Sequence, residues 1–533
     1  MKTLLLAGTA LLAMTGIATA RDITVAQSSD LRSNNPGVNR DGNTDSVILH
    51  IVEGLVGYNN VGEVKPLLAE SFEMSADGLT YTFKLRSDVK FHNGKAMTAD
   101  DVVWNWTRYL KPETKWTCLK DFVEGGAAPV TGVKAIDAST VEITLAKPSA
   151  VFLGMMSRPE CGFTGIISSE SLGADGSFVQ PIGTGPFMWD EWKKGEYVHL
   201  KKFADYVSPE NEGKPDGMVG SKRPLADGVK FMVIPDASTV KAGLESGVLD
   251  TAEISPDLIP EFQASETMQL IVARNNGKNL FYIQTRDKVL SNPGVRRAMA
   301  MALDLDELVA AASNGTGEAN GSMVSQDSVF FSDTQKKRLP YDVEAAKKEL
   351  ADAGYNGEPI SIIANKRGNV PSFPAAVMAQ AMMQQAGLNV QIEVLDYATQ
   401  VDRRRSGNYQ VISQSVAPRL DPALMYSFYV GDKDKNASLM WDDPKAIELM
   451  NAAYAEADQA RRQKIFDEFH GAHAEGNAGD IPLRHGRCLG RDQEIEGPAR
   501  LAVERPPLGS VSRRLIHHSR AGGDPRRRPF HHS

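Results

Sequence analysis

An α/β protein of two or three domains, with mixed sheets flanked by helices, is what this sequence predicts. Three observations lead there. The chain has 533 residues, more than one hydrophobic core accommodates. Between Leu67 and Arg108 two alternating strands run into a capped helix. Between Ile360 and Ser413 three short apolar strands alternate with two helical stretches. Such a β-α-β-α-β run implies a sheet with right-handed crossovers. An apolar content of 42% and a charged fraction of 24% are ordinary for a soluble globular protein.

Taken in order, residues 1–20 read as a cleavable signal peptide: Lys2, an apolar run Leu4–Ile17, then Ala18-Thr19-Ala20. The apolar run is too short to span a bilayer, and no later one reaches 18 residues. No cysteine stands at the cleavage point, so a lipid anchor is not indicated. A strand follows at Ile23–Ala26, then a polar loop from Asn34 to Asn43. A helix is expected over about 44–56, with Val47, Ile48, Ile51, Val52 and Leu55 on one face. The Leu67–Arg108 block comes next. Tyr81, Phe83 and Leu85 alternate with Thr80, Thr82, Lys84 and Arg86, and Asp77-Gly78 supplies the turn. Thr98 with Asp101 three residues later is a capping-box spacing, and Val102, Val103, Trp106 and Leu110 form the expected buried stripe.

In that block the order A-E-S-F, D-G-L-T-Y-T-F-K-L-R, V-K-F-H-N-G, T-A-D-D-V-V closely resembles the signature of family 5 extracellular solute-binding proteins. These are the peptide, dipeptide and nickel receptors of ABC importers. The resemblance implies a two-lobed periplasmic-binding-protein-like fold (type II, large cluster with an extra domain), with the ligand cleft between the lobes. It implies a receptor located in the periplasm, with a small-molecule or peptide ligand as one partner. The other partner is an ABC transporter permease with separate ATPase subunits. No catalysis and no cofactor are implied, and a monomer is expected.

Later segments carry the same resemblance. Pro181–Phe187 (PIGTGPF) is similar to the family's GTGPY/F turn. As a phosphate cradle it lacks a third glycine and a following helix. Val229–Asp250 is similar to the family's strand–helix–G-x-x-D unit, and Pro293–Ala312 to its R-x-A-x-x-x-A-x-D helix. Tyr341–Tyr355 resembles the helix that opens the second half of the far lobe. Strands are expected at 360–364 and 390–394, with helices at 375–386 and near 398–406. The Met-rich helix (Met378, Met382, Met383) reads as core. The boundaries that follow are residues 21–65 plus 186–275 for the core of lobe 1, 66–185 for its extra domain, and 276–470 for lobe 2. Residues 471–533 form an aberrant tail, frameshifted or disordered. The lobes are expected to be joined near Asn275–Asn279 and near the C-terminus.

Recognition is expected after the last lobe 2 strand, in Ser413–Val430. In peptide-binding members an acidic residue three places before a D-P pair holds the peptide's amino group. Asp421-Pro422 is present, but Pro418 stands at that earlier place. Dipeptide-binding members use an Arg where Phe373 or Pro374 stands here, although Arg367 is near. Arg419 remains as a partner for a carboxylate or phosphate. Asp421 would hold an amine or merely cap a helix. Tyr426 and Trp441 would stack on ligand or simply pack. Asn34 and Tyr58 are loop candidates for contact, and Asn in such a loop commonly makes turns. Non-peptide anions (an opine, a sugar acid, a metal chelate) form the alternative ligand class. A chaperone-like protein or a hydrolase is a more distant alternative.

Three histidines precede the tail, His50, His92 and His199, at no metal-ligand spacing, and no G-x-x-x-x-G-K-[ST] occurs. Cys118 and Cys161 are a candidate disulfide for an oxidising compartment, against two buried thiols. From His470 onward there are 11 Arg, no Lys and seven of the ten His. His470-x-x-His473 and His485-x-x-Cys488 suggest metal binding, and Arg526-Arg527-Arg528 a nucleic-acid or membrane tail. A frame change near 471–481 accounts for the Lys-to-Arg switch and the lost periodicity together, and is the expectation. Without that tail the net charge moves from −8 to about −12, which argues against nucleic acid as a partner.

Overall fold

The computed structural model describes residues 21–209, 213–254, 258–265, 267–273, 277–366, 370–416, 419, 421–472, 480–484 and 487–491. The expected signal peptide and the tail from residue 492 lie outside them, as do His473, Arg367 and Pro418.

Two sheets organise two lobes. In the first, strand Ile23–Gln27 sits centrally, parallel to Gly228–Val233 on one side and to Thr251–Glu253 on the other. Tyr197–Lys202 and Phe187–Lys193 extend one edge; Arg487–Arg491 and Gln269–Ala273 extend the other. In the second lobe, Ile360–Ala364 is parallel to Val390–Val394 and to Val411–Val416, and Lys278–Ile283 runs antiparallel beside Val411–Val416. All six residues of Lys278–Ile283 are buried. Asp480–Arg484 closes that sheet.

The chain passes between the two sheets twice. Gln269–Ala273 precedes Lys278–Ile283, and Asp480–Arg484 precedes Arg487–Arg491; partners pair antiparallel on both sides. An antiparallel strand pair in each sheet thus flanks both connections, residues 274–276 and 485–486. Asp480–Arg484 and Arg487–Arg491 fall inside residues 471–533, the stretch expected to be an aberrant tail.

A separate four-stranded antiparallel sheet runs in the order Ala69–Met74, Thr80–Leu85, Thr140–Leu145, Val130–Asp137. Its alternation is physical: Tyr81, Phe83 and Leu85 are buried, and Lys84 between them is exposed. Helix Ala99–Tyr109 packs on it. Thr98 N–H donates to Asp101 Oδ2 at 2.8 Å, satisfying a donor that the first turn leaves open. The helix buries Val102 and Trp106 as expected. Asn105 and Tyr109 replace Val103 and Leu110 in the fully buried set, because Asn105 Nδ2 donates to Ile167 O (2.8 Å) and Tyr109 OH to Gly165 O (2.6 Å).

Two helices are shorter than periodicity suggests. The one expected over 44–56 spans Gly42–Ile48. Beyond it the carbonyls of His50 and Ile51 are taken by Phe187 N–H and Gly185 N–H, so the helical ladder cannot continue. The P-I-G-T-G-P-F turn therefore holds this segment by its backbone. A Cβ on Gly183 would lie 2.0 Å from Ile51 O. Pro293–Ala312 is two helices, Pro293–Met301 and Leu305–Ala312, because Asp304 caps the second through Asp306 and Glu307 N–H. Arg296 is buried and donates to Leu290 O at 2.8 Å and Ser291 O at 3.0 Å.

Candidate ligand site between the lobes

On the first lobe's side the wall is the turn Pro159–Thr164. Gly162, Phe163 and Thr164 are successive left-handed residues, with φ of +62°, +56° and +48°. For Phe and Thr this costs on the order of 1 kcal/mol each, so surrounding contacts must fix it. They are in place. Cys161 is disulfide-bonded to Cys118, Trp116 Nε1 donates to Cys161 O at 3.0 Å, and Thr164 is fully buried. Glycine is required at 162, where a Cβ would lie 2.8 Å from Gly37 N.

That turn presents two charged side chains. Arg158 donates through Nη1 to Asp121 Oδ2 (2.8 Å) and through Nε to Glu160 Oε1 (2.9 Å). Tyr58 OH stands in the same field and donates to Gly154 O at 2.9 Å. Burial pushes the Tyr58 phenol up, and the Asp421 and Glu160 carboxylates add to it. Nearby, Asp45 is pushed up to about 6 by burial, against the opposing pull of Arg40, which chelates it.

On the second lobe's side, Arg419 follows the carboxyl end of strand Val411–Val416, the end where open α/β sheets bind ligands. Its Nη2 lies 2.5 Å from Glu160 Oε1, and its guanidinium sits 5.0 Å from the Phe428 ring centroid. Both partners are about nine-tenths buried. Burial alone would raise the Glu160 carboxyl; the guanidiniums of Arg419 and Arg158 outweigh it and hold the group below its ordinary range. The lobes also meet through Ala150 N–H, which donates to Tyr454 O at 2.8 Å, and through one apolar cluster that includes Phe152, Met155, Tyr426 and Trp441.

The six ligand candidates from the sequence take different places. Arg419 contacts Glu160; Tyr58 is bonded to Gly154 O and feels the Asp421 and Glu160 carboxylates only through their charge. Asp421 is a helix cap: Oδ1 accepts Ala423 N–H at 2.9 Å, and both oxygens accept from Arg462 at 2.8 and 2.9 Å. Tyr426 is a core residue, stacked on Phe469 with centroids 4.2 Å apart. Trp441 is buried edge-on to the same ring. Asn34 donates to Val179 O at 2.9 Å. Sequence reasoning missed Arg158, Glu160 and Asp121; the only local signal was the charged pair flanking Pro159 beside a cysteine.

Elsewhere a cavity of about 470 Å³ opens at the amino ends of strands Ile360–Ala364 and Val411–Val416, lined by Arg286, Arg403 and Lys433 among others. Lys433 is already held by Gln284 Oε1, by Thr285 Oγ1 (3.0 Å) and by Met440 O (3.2 Å). The described residues contain no cluster of three or more His, Cys, Asp or Glu placed to hold a metal ion. No described helix is long and apolar enough to cross a membrane.

Two separate α/β sheets, with antiparallel strand pairs flanking both connections between them, are the frame of a two-lobed periplasmic-binding-protein fold, the fold shared by the solved structures below. The chain belongs to the bacterial extracellular solute-binding proteins, family 5, whose model matches residues 63–437. Among curated relatives, glutathione-binding protein GsiB of Escherichia coli (strain K12) is 27% identical over 73% of this chain and 72% of its own length. Among solved structures, the ABC transporter substrate-binding protein CtaP of Listeria monocytogenes superposes with a TM-score of 0.76 at 22% identity, over 89% of this chain and 94% of that one. The periplasmic binding protein AgaA from A.tumefacien R10, in complex with agropinic acid, gives 0.70 at 26% identity, over 89% and 93%.

Proposed function

We propose that this chain is a periplasmic receptor that captures a peptide or similar small polar solute between its lobes and delivers it to an ABC importer. The observation that carries the reading is the meeting of Arg158 and Glu160 from one lobe with Arg419 from the other, with paired strands flanking both connections between the sheets. A ligand that touches both walls favours the closed arrangement by its differential affinity. The GsiB likeness supports a short peptide, since glutathione is a tripeptide. In this reading the chain is monomeric, alters nothing it binds and needs no cofactor. A permease with separate ATPase subunits takes the solute, nucleic acid is not a partner, and the first 20 residues direct export.

A second reading, a non-peptide anion, is favoured by the likeness to AgaA. The occupation of Arg419 by Glu160 argues against it. Thermal-shift screening against glutathione, di- and tripeptides, agropinic acid and metal chelates separates the two. A single saturable stabiliser supports the receptor, and its charge chooses the class. Turnover of any of these compounds, or no stabiliser among them, overturns the reading.

A further inference from the structure

Arg419, from the second lobe, contacts Glu160, and that acidic partner belongs to the protein itself. Both guanidiniums, Arg158 from the first lobe and Arg419 from the second, converge on one oxygen, Glu160 Oε1. This is the arrangement with which proteins bind a ligand carboxylate, here already filled. The filling group is fixed. Glu160 precedes the disulfide-bonded Cys161, and residues 162–164 of the same turn are left-handed. Moving it out would break the Arg158 bond and disturb that stapled turn.

We propose that Glu160 is a specificity-determining residue: it supplies Arg419 with a carboxylate from within the chain, so the cleft rejects a ligand carboxylate at this position. The inference rests on the receptor reading and deepens it. Solutes accepted by this receptor place a neutral or donor group toward Glu160, and any acidic group they carry is held elsewhere. Glu160 also acts as a closing contact, because its two partners come from opposite lobes. The anion class suggested by Arg419 read as an isolated residue is thereby excluded at this place.

Acetate tests the site without knowledge of the natural ligand. In Glu160→Ala the two guanidiniums lose their carboxylate and leave room for a small one. Added sodium acetate, compared with equal sodium chloride, should raise the unfolding midpoint of this variant saturably, by about 1–3 °C. Wild type and Glu160→Ala/Arg419→Met should show no saturable rise. Absence of the effect in the single variant, or an equal effect in wild type or the double variant, overturns the proposal. Should Glu160→Ala fail to fold, Arg419→Met leaves the Glu160–Arg158 pair in place. Its radius of gyration without added solute should exceed that of wild type, and an unchanged radius overturns the closing role. Screening wild type against the solute panel stands apart from both, so failure of the receptor reading and failure of this inference are told apart.

Discussion

Replacing Cys118 and Cys161 together by alanine should destabilise the first lobe by about 3–4 kcal/mol. The bond closes a loop with a sequence separation of 43. For that length the chain-entropy relation gives roughly 4 kcal/mol at 25 °C, an upper figure because the unlinked unfolded chain keeps some structure. Strands Val130–Asp137 and Thr140–Leu145 and helix Phe152–Met156 all lie inside the loop, so its release frees half of the four-stranded sheet. The assay is urea unfolding of wild type and the double variant, followed by tryptophan fluorescence. Trp116 stacks on Phe122 at 5.1 Å and Trp106 lies edge-on to both, so two indoles report on this region. A loss under about 1 kcal/mol with an unchanged slope would refute the reasoning, because the bond would then constrain little of the unfolded chain.

Other outcomes are expected from the same packing. Trp106→Ala empties the centre of the cluster formed with Trp116, Phe122 and Phe152, and should cost about 3–5 kcal/mol in the same assay; under ~1 kcal/mol would contradict its burial. Lys222 and Glu53 form a buried ion pair, so Lys222→Met leaves the Glu53 carboxylate with only the Thr184 and Tyr206 hydroxyls, a loss of about 3–5 kcal/mol. Adding Glu53→Gln to it should recover much of that loss, and no recovery would sink the ion-pair argument. Burial depresses His50 and His92 from 6.5 to about 4 each. The unfolded chain protonates first, so stability fully present above pH 6.5 is lost as pH falls through that window to about 4, by up to ~3 kcal/mol per group. Urea midpoints at pH 7.5 and 4.5 should separate, and less so in His92→Gln; a flat profile would count against both assignments.

How far the sequence could be read depended on the range of the forces involved. The hairpin and capped helix near the front were legible because strand period, turn and cap are all local in Thr80–Leu85 and Thr98–Asp101. Strands Ile360–Ala364 and Val390–Val394 were placed to the residue for the same reason, as short apolar runs between breakers. Arg419 stood out as a lone cation after a strand, but its partner did not, since nothing near it in sequence points to Glu160. Asp421 offered two roles, and the one set by local chemistry, a cap, is present. Tyr426 and Trp441 could not be told from core residues by type alone, and their burial depends on Phe469, which arrives from a later helix. The end of the first-lobe helix at Ile48 is likewise set by distant backbone donors, Gly185 and Phe187. Past residue 471 the lost periodicity left no local signal for strands, and the pairing at 480–484 and 487–491 is set by the distant partners Lys278–Ile283, Thr251–Glu253 and Gln269–Ala273.

The most direct test of capture without chemistry is native mass spectrometry of the purified protein, incubated at length with the solute that stabilises it in the panel. A single bound copy, released on denaturation at its original mass, is the predicted result. A released species of altered mass, or no complex with any member of the panel, would contradict the account.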